Sequence, residues 1–344
     1  MKINPIKLLF SAFLLFIPLS QAITEETNNK ISDEILKTFI FNKPGQDIPG
    51  RIAFTAKINN FYSILALDLR AGTVTALVTG NHNNSYPSWS PDGTELVFSS
   101  DRTGHEEIFK IKWDGTALTQ LTNSLGSSGN PDWSHDGKTI SYFYTAPNQT
   151  ETSQIHTLNL SDLKTKALTA FKGKQVTPRL SPDNNYMAYS TNRIWPGWDV
   201  CLLNLTTKKE ACPLGGKDSF CRPAWNKAGN KLLFASGFGN NINIGALDTT
   251  TNGSIMITNL PNREYDPIWG PNDEHFFFVA EPEQTDKFDL FIMIYGDKQP
   301  RKLLASPYSV RYPSWNPKTT LELEAQKIRE QNSISGINIP IIDN

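Results

Sequence analysis

The chain is poor in the residues that do chemistry. Its 344 residues include five histidines, three cysteines and four methionines. The histidines, His82, His105, His135, His156 and His275, fall at unrelated places and form no metal-ligating motif. There is no Gly-x-Ser-x-Gly turn, no His-Glu-x-x-His and no phosphate-cradling glycine loop. No catalytic residue, metal or cofactor is therefore expected. Charge of either sign is not in excess, with 33 Lys and Arg against 34 Asp and Glu and a net charge of −1. That balance argues against nucleic acid as a partner and against a charged membrane surface. The absence of any CxxC pair argues against a zinc or dithiol centre.

Long apolar runs are also missing, save one at the start. Lys2 and Lys7 precede an apolar stretch from Leu8 to Leu19, and Ser20-Gln21-Ala22 puts small residues where a signal peptidase cuts. Residues 1–22 are expected to be a cleaved secretory signal. No cysteine follows the cut to carry a lipid, and no later run is long enough to span a membrane. The mature chain is expected outside the cytoplasm, in the periplasm of a Gram-negative source. An oxidising compartment permits a disulfide among Cys201, Cys212 and Cys221. Cys201 and Cys212 flank Thr206-Thr207 symmetrically and would face each other across a tight hairpin. Cys212 with Cys221, or three free thiols, are the alternatives.

What the sequence has in abundance is one phrase, used six times. Pro87-Ser-Trp89-Ser-Pro-Asp-Gly returns at Pro131-Asp-Trp133, Pro178-Arg-Leu180, Pro223-Ala-Trp225, Pro267-Ile-Trp269 and Pro313-Ser-Trp315, at intervals of 44 to 47 residues. Five of the eight tryptophans occupy one repeat position. A period near 45 with several strands per unit is the signature of a propeller. In each of the five complete units an aromatic residue follows the repeat proline by 11 positions, at Phe98, Tyr142, Tyr189, Phe234 and Phe278, inside an apolar run that reads as a second strand. Pro-Asp-Gly is turn chemistry. Glu107–Trp113 and Ala117–Thr122 supply third and fourth strands. The sixth unit, at Pro313, lacks strands two to four, and Arg51–Ala56, Ser63–Leu69 and Val74–Thr79 supply them from the beginning of the chain. The expected fold is all-β, a six-bladed β-propeller over residues 51–317. Each blade is a four-stranded antiparallel sheet, and one C-terminal strand joins three N-terminal strands to close the ring. Residues 23–50 form an N-terminal extension, with Ile31–Phe41 read as a short amphipathic helix. Residues 318–344 form a C-terminal helix and tail, the helix opened by the capping box Thr319-x-x-Glu322.

The run Trp89-Ser-Pro-Asp-Gly followed by Ser100-Asp101-Arg102-Thr-Gly104 resembles the TolB-type (WD40-like) propeller repeat. The resemblance covers about residues 51–317. Proteins of that type carry an α/β domain before the propeller, and residues 23–50 are too few for one. The resemblance implies a non-catalytic binding role in a cell-envelope complex of the Tol-Pal kind. A peptidoglycan-associated lipoprotein is the implied partner.

Propeller topology selects the face where a partner would dock. The residue before each repeat proline is expected to ring the channel mouth: Tyr86, Asn130, Thr177, Arg222, Asp266 and Tyr312, with Arg311 adjacent. Trp195 and Trp198, around Pro-Gly on the same face, are candidate contacts for protein or sugar. Asp101 and Arg102 end a second strand and close a loop or meet a ligand. The expected assembly is a monomer. The competing readings are a glycan- or peptidoglycan-binding propeller, and a hydrolase or lyase using Asp266 with Glu281 and Glu283 in the channel.

Overall fold

The computed structural model describes residues 31–44, 47–194, 197–215, 218–283 and 285–335. The expected signal segment and Trp195 lie outside the described residues. The described chain forms six antiparallel sheets arranged as blades. The first blade pairs Val310–Asn316, as its innermost strand, with Arg51–Ile58, Phe61–Asp68 and Thr73–Val78. The second runs from Asn84–Trp89 through Glu95–Ser100 and Glu107–Lys112 to Thr119–Gln120. The innermost strands of the third to sixth blades are Ser127–Trp133, Gln175–Leu180, Phe220–Trp225 and Glu264–Trp269. The ring closes as expected, with Arg51 opposite Asn316 and Ala56 opposite Val310.

The core follows from this stacking. Blades pack face to face, so a second strand is buried on both sides and reads as an unbroken apolar run rather than an alternating one. Leu96, Val97 and Phe98 are all fully buried, as are Phe276, Phe277, Phe278 and Val279. Six apolar clusters fill the interfaces between neighbouring blades, and each contains one of the repeat tryptophans or Leu180. Trp225 Nε1 donates to the carbonyl of Arg179 at 3.1 Å, and Trp269 Nε1 to that of Ala224 at 3.2 Å, each reaching the preceding blade. The turn aspartates act as the sequence suggests. Asp92 Oδ1 accepts from Ser90 Oγ and from the amide of Thr94, and Asp183 does the same with Ser181 and Asn185.

The N-terminal extension departs from the single helix expected. Only Asp33–Leu36 is helical, capped by Ser32, and Ile40–Phe41 then adds a fifth strand to the outer edge of the sixth blade, beside Arg301–Ala305. Phe39, Ile31 and Ile48 enter the apolar cluster between the sixth and first blades. At the other end the helix Thr320–Ser335 begins with the expected capping box. Thr319 N–H donates to Glu322 at 2.7 Å, and Glu322 N–H to Thr319 Oγ1 at 3.3 Å. Among the described residues, no helix is long and apolar enough to cross a membrane.

Candidate functional site at the channel neck and mouth

Each innermost strand is interrupted at the residue before its proline. Proline disfavours the helical region for its predecessor, yet Tyr86, Asn130, Thr177, Arg222, Asp266 and Tyr312 all take the left-handed conformation, with φ between 51° and 62°. The register with the second strand slips at this level in every blade. This is a β-bulge, which turns a side chain out of the alternation of its strand. Repeated six times around the ring, it aims six side chains at the channel axis.

Five of these residues, all but Asn130, border a constriction of about 30 Å³. All six were expected at the mouth, and Tyr86, Asn130, Thr177 and Arg222 border it. The rings of Tyr86 and Tyr312 stack with centroids 3.8 Å apart, and the Arg222 guanidinium lies 5.0 Å from the centre of Tyr312. Asp266 accepts from Arg311 Nε at 2.7 Å and from the Tyr312 amide at 3.1 Å, and its other oxygen lies 3.2 Å from Arg222 Nε. Burial pushes the Asp266 carboxyl up, but the charges of Arg311 and Arg222 outweigh it and hold the group below the usual carboxylate range. Thr177 Oγ1 and Ser190 Oγ share a hydrogen bond of 2.7 Å, and the same Ser190 oxygen accepts from the Arg222 amide at 3.1 Å. The Asn130 amide donates to Ser99 Oγ at 3.1 Å, while its buried Nδ2 has no partner.

Above the neck the channel widens into a cavity of about 640 Å³. Its walls include Trp198, Tyr265, Phe288 and Cys221, with Lys174, Arg222, Arg263 and Arg311. The Trp198 amide donates to Ser219 Oγ at 2.9 Å, which fixes the loop that brings this indole to the wall. Arg263 is held by Glu281 through contacts of 2.9 and 3.1 Å, and it also meets Asp286. Below the neck lies a second cavity of about 620 Å³, bordered by the five repeat tryptophans.

Asp101 and Arg102 do not border either cavity or the neck. Asp101 accepts from the amide and side chain of Asn83, each at 2.8 Å. Arg102 reaches Ser100 Oγ at 2.9 Å and Asn84 Oδ1 at 2.8 Å, and lies over Phe109. Cys201 and Cys212 form a disulfide with Cα atoms 4.1 Å apart, and Cys221 is free. Sequence reading missed Lys174, Arg263, Tyr265 and Phe288 as wall residues. The signal available was position: Lys174 and Arg263 each enter the innermost strand of a blade, on the face of the inter-blade loops.

Residues 49–193 match the TolB beta propeller domain model. An uncharacterized protein of Agrobacterium fabrum is 28% identical over 137 residues, which is 37% of this chain and 46% of that protein. An uncharacterized peptidase of Bacillus subtilis, YuxL, is 34% identical over 136 residues, 40% of this chain and 19% of the peptidase. The matched stretches thus span less than half of either relative. The crystal structure of TolB from Acinetobacter baumannii superposes with a TM-score of 0.67 at 18% identity, covering 78% of this chain and 67% of that one.

Proposed function

Because this chain carries a TolB-type six-bladed β-propeller domain, we propose that it is a non-catalytic binding propeller of the periplasm that takes a loop of an envelope protein into its channel mouth. The observation that carries this reading is the wide cavity over the neck, where Trp198, Tyr265 and Phe288 converge with four cationic side chains. Aromatic and arginine side chains that are held in place and partly desolvated are the composition of a protein-binding hot spot. A peptidoglycan-associated lipoprotein is the partner the Tol-Pal likeness suggests.

Two of the carboxylates that an enzyme reading would need, Asp266 and Glu281, are already engaged. Asp266 is shared by two arginines. Glu281 is held below the usual carboxylate range, first by its hydrogen bond from Arg263. Neither is poised to give up a proton near neutral pH. A second reading, glycan binding, is favoured by the indole of Trp198 on the wall, since such a ring can stack on a sugar face.

The test uses the mature protein, with Trp198→Ala and Lys174→Glu, in affinity capture from detergent-solubilised envelope. A lipoprotein retained by the parent and lost by both variants, at unchanged melting temperature, is the expected result. Capture that is indifferent to both variants rules out the mouth. Quenching of tryptophan fluorescence by peptidoglycan fragments, with no protein captured, would transfer the site to glycan.

A further inference from the structure

We propose that the neck is a carboxylate subsite, entered by one aspartate or glutamate side chain on an extended segment of the protein partner. This rests on the mouth being a protein-binding site, as proposed above.

The first ground is charge. Arg222 and Arg311 share one carboxylate, Asp266, and among the described residues neither has another ion pair. Two guanidiniums against one carboxylate leave a positive charge in a largely desolvated place, where an uncompensated ion is costly. Burial and the proximity of Arg222 work against the charge on Arg311, and Asp266 with Tyr312 outweighs them and holds the guanidinium above its usual range. Both arginine side chains keep about a fifth of their surface exposed, 22% and 21%, and both border the mouth cavity. Guanidinium groups offer several donors in a fixed plane and bind carboxylates in pairs of parallel hydrogen bonds.

The second ground is unfinished hydrogen bonding. Asp266 Oδ1 is buried and receives no aligned hydrogen bond, and Asn130 Nδ2 is buried with no acceptor. Buried polar atoms are normally satisfied. The neck therefore lacks a second acceptor for Arg222 and a donor for Asp266, and at the mouth beside it Arg311 lacks a second acceptor and Asn130 lacks any. One acidic residue in an extended peptide offers all of these, through its carboxylate, its N–H and a neighbouring carbonyl.

The third ground is size. The constriction has room of about 30 Å³, against about 640 Å³ in the mouth. A side-chain carboxyl fits that step, and a pyranose ring does not. An acidic peptide is thus favoured over an acidic glycan.

The test titrates the full mature chain with two capped octapeptides of glycine and serine that differ only in a central glutamate or glutamine, and with trigalacturonate. The glutamate peptide is expected to bind about tenfold tighter than the glutamine peptide, and trigalacturonate no better than the latter. Arg222→Gln leaves Arg311 and Asp266 as a balanced pair. It is expected to keep the parent melting temperature or exceed it, and to abolish the preference. Arg222→Lys, which keeps the charge and loses the planar fork, should retain a reduced preference and guards against misfolding of the first variant. Equal binding of the two peptides overturns the subsite, including no binding by either at millimolar concentration. So does a preference that survives Arg222→Gln, and tighter binding of trigalacturonate rejects the peptide assignment. A lipoprotein captured equally well by the parent and by Arg222→Gln would sink the neck subsite and leave the mouth reading standing. Discrimination between the peptides without envelope capture would do the reverse.

Discussion

Replacing Asp266 by asparagine would leave Arg222 and Arg311 facing each other with no counter-ion. Removing one partner of a buried ion pair costs about 3 kcal/mol, and Asp266 is 5% exposed. Asp266→Asn is therefore expected to lower the unfolding free energy by about that amount at neutral pH, read as a lower denaturant midpoint at unchanged slope. The pH dependence has a definite sign. The Asp266 carboxyl is lowered in the folded protein, so its stabilisation is complete above the unfolded pKa and is lost as pH falls through the folded one. The parent should lose this contribution on acidification below the usual carboxylate range. The variant should show a shallower acid limb, and urea melts between neutral and acid pH would detect it. The ring to which Asp266 belongs was legible as a position in the repeat. Its left-handed backbone was not, because no glycine marks it and the following proline argues against it. Thr177, a β-branched residue at φ 51°, is the extreme case. Six such residues hold because each bulge is fixed by two strands and a neighbouring blade.

A single strand can also carry a titration. Glu264 opens the innermost strand of the sixth blade and is fully buried. Its carboxyl accepts from Thr258 Oγ1 and from the Leu260 amide, yet burial dominates and raises it to about 7. A raised acid pKa means that the folded state binds the proton more tightly, so stability is lost as pH climbs from 4.5 through 7. Glu264→Gln keeps the shape and removes the charge. It should flatten that slope and gain up to about 3 kcal/mol over the parent at alkaline pH. Melting temperatures that fall in parallel for both proteins would refute it. Other elements differed in how far their sequence spoke. The spacing of Cys201 and Cys212 pointed to a hairpin but left other pairings open. Leu202 opposite Ala211 and Leu203 opposite Glu210 set the register that brings the two cysteines together. Between Ile31 and Phe41 the apolar spacing suited a helix. The free edge of Arg301–Ala305 draws Ile40–Phe41 into a strand instead, a tertiary effect with no local signal.

The whole ring depends on one strand that comes from the far end of the chain. Its necessity was readable from repeat phase alone, since a unit that begins at Pro313 and lacks its own remaining strands must borrow them. Val310–Asn316 pairs with Arg51–Ile58, and it also holds the second blade. Asn316 Nδ2 donates to the Gly93 carbonyl at 2.9 Å, and Ser314 Oγ accepts from the Trp89 amide at 3.1 Å. Gly93 fits here because it has no Cβ, which would lie 2.2 Å from Asn316 Oδ1. A chain that stops at Ser309 would expose the edge of Arg51–Ile58 and the apolar cluster beneath it, and would separate the sixth blade from the second. Propeller blades bury their faces only against neighbours, so the loss should spread beyond the first blade. The truncated chain is expected to lose its cooperative melt and to associate through the bare edge. Adding a synthetic peptide of residues 310–335 should restore the melt, because the missing strand contributes contacts rather than a covalent link. Cooperative unfolding at the parent temperature without the peptide would show that five complete blades stand alone. Failure of the peptide to rescue would show that closure must be intramolecular.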